Sequence, residues 1–336
     1  MAGLNPNYLT LSDVAKQTHN QELIPMVDEI GKATTFLNSF TWRQASDALR
    51  DVTGKITAYP EAEWTGLDLG TKAKKGNWTQ VEEGLGMVEI WTEINEKTYE
   101  VSPFKEATRW RNDAVAMRSC GMEAEKGILY GNPNNNKNTI LGFMPRFNKV
   151  TDHHRMAGGA KYDYCTLSCG GTTANSQSSI LLVAKGGMAP SLIYPRYKEN
   201  NGLVYRHWDF ENALDGQGGN VRIAKSQIAM TLGLSIADTR TAVRIANIEC
   251  GNSTSEGKIA DALYEAFASI PAEYKNSVEI WTTADVILAM RKAYDGKVSP
   301  VTYADAVHKN AIGDIMFDNF IIHECGQMLD TEAVVS

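Results

Sequence analysis

The sequence predicts a mixed α+β fold built around one long amphipathic helix, and three observations carry that prediction. Phe104, Ala107, Trp110, Ala114, Met117, Gly121, Ala124 and Ile128 recur at steps of three and four, the spacing of a helix with one buried face. Residues 78–83, 87–94, 221–232 and 241–248 alternate apolar or β-branched with polar side chains, as strands do when one face is buried. Residues 179–184 read as a buried strand closed by Gly186-Gly187.

Taken in chain order, residues up to about 55 hold two short helical stretches in an otherwise polar segment. Ser12 can cap a turn over 13–18, and 26–36 follows Pro25 with Asp28 and Glu29 in its first turn. No alternation there would build a core, so the segment reads as an arm. The alternating runs 78–83 and 87–94 are joined by Gly84-Leu85-Gly86 and predict a hairpin, preceded by a glycine-punctuated loop that carries Lys72, Lys74 and Lys75. So little apolar material would be poorly stable alone, and the hairpin should rest on a neighbour.

Ser102-Pro103 supplies an N-cap and a proline for the first turn of the long helix, and Gly131 followed by Asn132-Pro133 ends it. Over 103–130, at ~1.5 Å per residue, it would be roughly 40 Å long. Beyond it, 192–194 and 203–205 bracket a turn at 198–202, and 221–232 with 241–248 are expected to form an antiparallel pair. Ile259, Leu263, Ala266 and Phe267 mark a helix. Residues 278–281 form a strand leading into a helix capped by Thr283, with Val286, Ile287, Met290 and Ala293 as its apolar face, and 316–322 make the last strand.

The chain has 336 residues, about twice the usual ~150-residue domain, which allows one large unit or two coupled ones. Hydrophobic residues make up 43% and charged residues 22%, proportions that fill a core and argue against general disorder. The 33 basic and 40 acidic residues give a net charge of −7, the wrong sign for a protein that coats phosphate over its whole surface. No apolar run approaches the ~18–20 residues of a membrane span. The N-terminus lacks the basic-then-apolar pattern of a secretory signal, so a cytoplasmic product is expected.

Five cysteines, Cys120, Cys165, Cys169, Cys250 and Cys325, lie mostly among apolar or small residues, as buried reduced thiols do. Cys165 and Cys169 with Asp152, His153 and His154 could be read as a zinc cluster, but the spacing lacks the paired knuckles of structural zinc. No histidine among His19, His153, His154, His207, His308 and His323 marks a cysteine as activated. His323 and Cys325 are near in sequence only. The run 251–258 resembles a phosphate loop, yet its glycines are one residue too far apart and Ile259 replaces the magnesium-binding hydroxyl. It reads as a polar loop entering a helix.

A resemblance completes the picture. The residues that carry it are Glu123-Ala124-Glu125-Lys126-Gly127-Ile128-Leu129-Tyr130-Gly131-Asn132, running on to Gly142-Phe143-Met144-Pro145-Arg146. They continue in Ser178-Ser179-Ile180-Leu181-Leu182-Val183-Ala184-Lys185-Gly186 with Ile193-Tyr194-Pro195, in Arg240-Thr241-Ala242-Val243-Arg244-Ile245-Ala246-Asn247-Ile248, and in Phe320-Ile321-Ile322 with Leu329-Asp330-Thr331-Glu332-Ala333. In this order, after an arm and a glycine-rich hairpin, the chain resembles the major capsid proteins of tailed bacteriophages with the Hong Kong 97-type fold. It is most similar to those of short-tailed phages of the epsilon-15 type.

The resemblance implies a structural protein with no catalytic residue, no metal and no cofactor, which self-assembles through pentamers and hexamers into an icosahedral shell around double-stranded DNA. It implies an N-terminal arm at 1–54, an E-loop at 55–101, a peripheral domain at 102–175 and 205–252 with its spine helix at 103–130, and an axial domain at 176–204 and 253–336. Implied partners are further copies of the chain, a scaffolding protein, a portal and a decoration protein, with packaged DNA held loosely and no membrane. The expected location is the virion capsid, assembled in the host bacterial cytoplasm. The inter-subunit contact candidates are Lys72, Lys74, Lys75, Trp78 and Trp91. Some capsids of this fold join a loop lysine to a neighbour's asparagine, but the plain reading of the three lysines is a solvated or salt-bridging loop tip. Two other readings stand beside the phage shell: an encapsulin-type nanocompartment, and a thiol or zinc-dependent α+β enzyme using Cys165 or Cys169 with His153 or His154.

Overall fold

The apolar stripe of the long helix decides where the first body of the protein forms. In the computed structural model, residues 11, 23–58, 60–151, 164–197, 199–214, 217–296, 307–309, 315–317 and 319–336 are described. The expected turn over 13–18 and the residues Asp152, His153 and His154 lie outside them. The chain divides into two compact units, one within Met1–Asp51, Gly84–Gly142 and Leu192–Leu234, the other within Val52–Glu83, Phe143–Ser191 and Ser235–Ser336.

The first unit packs the spine helix Lys105–Tyr130 between a second helix, Leu23–Ala33, and a six-stranded sheet. Ala114, Met117, Gly121, Ala124 and Ile128 are buried as the spacing predicted, joined by Cys120 and Leu129, whereas Phe104 and Trp110 at the start of the predicted stripe are exposed. The second helix presses Leu23, Met26 and Ile30 against it. Gly121 sets how closely the two helices approach, because a Cβ there would stand 2.7 Å from Ile30 Cγ2. The expectation of a coreless N-terminal arm is therefore corrected for 23–45: Leu23, Met26, Ile30, Phe36, Leu37 and Trp42 are all buried. The sequence reading missed this because their stripe is short and shared between two helices, Leu23–Ala33 and Thr35–Ser39.

Ser102 does not cap the spine helix. Asn95 caps a separate helix, Glu96–Val101, by accepting from Lys97 N, and Ser102 ends that helix in an extended conformation with ψ 127°. Pro103 imposes this, since the residue before proline is pushed out of the helical region. The spine then starts at Lys105, with Phe104 in the capping position and no side-chain cap.

In the sheet of this unit, Trp42–Gln44 runs parallel to Ser191–Tyr194, which neighbours the 16-residue strand Asn220–Ser235. That strand pairs antiparallel with Gly86–Asn95, from Ile223 opposite Asn95 to Leu232 opposite Gly86, and also with Leu203–His207 and Glu211–Leu214. The expected hairpin of 78–83 with 87–94 does not form. Gly86–Asn95 takes Asn220–Ser235 as its partner, while Asn77–Gly84 pairs with Arg50–Ala58 in a separate two-stranded sheet. Alternation names the face a strand buries and is silent on its neighbour.

The second unit holds a seven-stranded sheet in the order Val307–Lys309, Ile315–Phe317, Phe320–Glu324, Val278–Thr282, Ser178–Ala184, Ala242–Ile248, Cys165–Ser168. Ser178–Ala184 and Ala242–Ile248 are buried along their whole length. Helices Ile259–Ser269 and Ala284–Gly296 supply Leu263, Ala266, Val286 and Met290 to the core, against Leu182, Ile245 and Ile280. Thr283 caps the second of these, accepting from Val286 N at 3.4 Å. Asn252 caps Ser253–Gly257, so the loop at 251 does run into a helix.

Two further strand expectations are corrected here. Residues 221–232 and 241–248 are not a pair, because Asn220–Ser235 lies in the sheet of the first unit and Ala242–Ile248 in that of the second, between an antiparallel and a parallel neighbour. Residues 316–322 are not one strand. Ile315–Phe317 and Phe320–Glu324 form an antiparallel pair around a turn at Asn319. Among the described residues, no helix is long and apolar enough to cross a membrane.

Candidate assembly surface

The segment between Arg50–Ala58 and Asn77–Gly84 is the feature with least burial of its own. Its root is firmly held. Arg146, from the short helix Phe143–Arg146, forks onto Glu83 with Nη1 2.7 Å from Oε1 and Nη2 2.7 Å from Oε2, and both side chains are buried. Burial alone would lower the Arg146 pKa, but the hydrogen-bonded Glu83 carboxylate, with Tyr164 beside it, outweighs that and holds it above the ordinary value. Bidentate pairing of this kind fixes geometry as well as adding energy.

The tip, by contrast, faces outward. Leu69 N donates to Gly66 O at 3.2 Å and Thr65 Oγ1 donates to Leu69 O at 2.8 Å, which closes a turn at 66–69. Around this turn Trp64, Leu67 and Leu69 are 105%, 107% and 73% exposed. A cluster of large apolar side chains in water marks a surface meant to be covered.

Lys72, Lys74 and Lys75 lie on the return limb of this loop and are exposed. Lys74 is paired with Glu63 on the outgoing limb, so one of the three lysines braces the loop. Trp78 is the second residue of the strand Asn77–Gly84, is 63% exposed and lies over Gly54 of the paired strand. Trp91 belongs to the other unit, on Gly86–Asn95. It stacks on Trp208 at 5.0 Å and donates to Glu89 at 2.6 Å, which leaves it 49% exposed. The four loop and hairpin candidates therefore share one element, while Trp91 stands on a different sheet. Trp64, Leu67 and Leu69 went unnoticed in the sequence reading, although large apolar residues inside a glycine-punctuated loop are a legible signal.

The thiol chemistry finds no support in the geometry. Cys165 and Cys169 are buried, and burial pushes the Cys169 and Cys120 thiols each up to about 12. A thiol so protonated is a poor nucleophile. His323 stacks on Trp281 at 4.8 Å. Among the described residues, no group of three His, Cys, Asp or Glu side chains is arranged to hold a metal. At pH 8, iodoacetamide is expected to leave Cys120 and Cys169 unlabelled in the folded protein and to label both in guanidinium chloride. Mass spectrometry of the digested protein reads this directly, and rapid native labelling of Cys169 would contradict the burial.

The family described as major capsid protein GP7 matches residues 18–336. The chain belongs to that family. It is a structural protein of a capsid, not an enzyme. No curated protein matches the chain. Among solved structures, the capsid protein is similar to a chain of bacteriophage epsilon15, with a TM-score of 0.59 at 18% identity over 100% of this chain and 99% of that one. It is also similar to the capsid of bacteriophage JBD30, with a TM-score of 0.51 at 10% identity over 88% and 91% of the two chains. The fold is thus α+β of the Hong Kong 97 type, and a capsid protein self-assembles into the shell and resides in the virion.

Proposed function

We propose that this capsid protein builds an icosahedral shell of pentamers and hexamers around double-stranded DNA, and that the hairpin formed by Arg50–Ala58 and Asn77–Gly84 is the E-loop that reaches a neighbouring copy. The observation that carries this reading is the outward-facing tip with Trp64, Leu67 and Leu69, held on a root pinned by Arg146 and Glu83. Apolar area of that kind is buried on assembly, which couples the loop's order to the oligomer. The unit that contains the spine helix is the peripheral domain, and the seven-stranded sheet with its two helices is the axial domain. The net charge of −7 suits an inner wall that holds DNA loosely, because an acidic surface repels phosphate. A scaffolding protein, a portal and a decoration protein are its partners, and assembly takes place in the host bacterial cytoplasm.

The test is co-expression with the scaffolding protein, followed by light scattering and negative-stain microscopy. Megadalton particles are expected, and the boiled particles should run as a single monomer band, since exposed loop lysines are not by themselves a signature of covalent joining. A strictly monomeric product overturns the reading. Particles that enclose an enzyme in place of DNA favour the nanocompartment.

A further inference from the structure

Glycine inside a helix costs about 1 kcal/mol relative to alanine, so a glycine that the fold does not require needs another reason. The end of the spine helix shows both kinds, Gly127 inside its last turn and Gly131 at its C-cap. At Gly131 an added Cβ would collide with backbone, 2.3 Å from Gly127 O. At Gly127 an added Cβ would meet nothing within 4 Å. Gly127 instead lines a cleft of about 190 Å³, with Met87, Val88, Ala124, Ile140 and Leu232 as its apolar wall. The exposed carboxylate of Glu123 stands on its rim. A side chain at 127 would project into that space, so the glycine keeps the cleft open.

We propose that this cleft is the socket for Leu67 of a second copy of the chain. The inference rests on the shell reading above and adds to it a receiving site. Knob and socket agree in size, since an apolar cavity of roughly 150 Å³ accepts a molecule as large as benzene, and 190 Å³ takes a leucine side chain. They agree in character: Leu67 is the most exposed large apolar side chain at the tip, and Met87, Val88, Ala124, Ile140 and Leu232 give the cleft an apolar side, while Asn136, Asn138 and Thr139 line the rest. They agree in charge as well, because Lys72 and Lys75 follow the tip in the chain and Glu123 waits on the rim; opposed charges steer encounter and fix register. The turn at 66–69 is already hydrogen-bonded in the single chain, so little ordering remains to be done on docking.

Gly127→Trp tests the socket, since its Cβ meets nothing within 4 Å and its ring would occupy the cleft. The variant is expected to melt at the same temperature as the unsubstituted protein by circular dichroism, while its particle yield falls by about tenfold or more, as when one central anchor of an interface is lost. An unchanged particle yield overturns the socket and leaves the shell reading intact; if the unsubstituted protein itself forms no particles, the shell reading fails and the socket with it. The pair Leu67→Cys with Gly127→Cys on one chain locates the contact. Oxidised particles should give a ladder of dimers and higher multiples on non-reducing gels, absent from either single variant. Particles without a ladder, or a disulfide confined to monomers, overturn the assignment to a second copy.

Discussion

Arg244→Met is expected to destabilise the folded subunit by about 3–5 kcal/mol, the usual cost of stripping one partner from a buried ion pair. Arg244 sits on the fully buried strand Ala242–Ile248, and its guanidinium has four directions of use. Nη2 lies 2.8 Å from Glu332 Oε2, Nε 3.0 Å from Ser179 Oγ, and Nη1 2.8 Å from Phe147 O and 3.5 Å from Met144 O. Both charged side chains are buried, and Ser179 donates to the same Glu332 oxygen. One side chain therefore ties the central sheet, the turn after Phe143–Arg146 and the C-terminal segment together. Without it, the Glu332 carboxylate stays buried with its opposite charge removed. For a body of this size each kcal/mol shifts the melting temperature by roughly 2–4 °C, so a calorimetric drop of the order of 10 °C is expected in the unassembled protein. The control is Arg244→Met with Glu332→Leu, which removes both charges and should recover most of the loss. A single variant that melts within a degree or two of the parent, measured at neutral pH, would show that the cluster is not energetically central.

Gly131→Ala and Gly127→Ala should move stability in opposite directions, though they lie four residues apart. At Gly131 the new methyl would sit 2.3 Å from Gly127 O and 2.4 Å from Ile140 O. Both lie on backbone tied to the helix end, since Gly127 O accepts from Gly131 N at 2.9 Å and the segment that carries Ile140 is held by Gly142 N donating to Gly131 O at 2.8 Å. Neither can retreat as a flexible side chain could. The cost should lie at or beyond the upper end of the 1–3 kcal/mol typical of overpacking. Gly127→Ala meets open space and gains helix propensity, so it should stabilise by up to about 1 kcal/mol. Urea unfolding of the two variants gives the comparison, and equal effects would refute the distinction between a glycine demanded by packing and one that is not. Gly131 does not serve a left-handed backbone: its φ is −54°, and contact rather than backbone conformation excludes a side chain.

These two sites show why parts of the capsid protein were legible and others were not. The spine helix could be read because its periodicity runs for seven turns along one uninterrupted element, and the buried residues from Ala114 to Leu129 follow it. The buried strand at 178–184 and the strand-helix unit from Val278 to Gly296 were readable for the same local reason. Arg244 gave no such signal, because a buried arginine looks like an exposed one until its partner, 88 residues away, is brought to it. The same holds for Arg146 and Glu83, 63 residues apart. Of the assembly candidates, Lys72, Lys74, Lys75 and Trp78 were named through the family resemblance, whereas the tip residues Trp64, Leu67 and Leu69 needed the turn at 66–69 to show which way they face.

By itself the sequence determined the long helix, most of the strands, their buried faces and, through its ordered resemblance, the family. It did so because side-chain periodicity is a local property, set by backbone geometry within a few residues. Tertiary structure alone decided the partners. The run 86–95 chose 220–235 over its nearer neighbour, 220–235 and 242–248 went to different sheets, and the N-terminal helix became core rather than arm. Alternation states which face a strand hides but carries no address for the strand beside it. That address is written in pairwise packing and in buried charges, which exist only once the chain has folded.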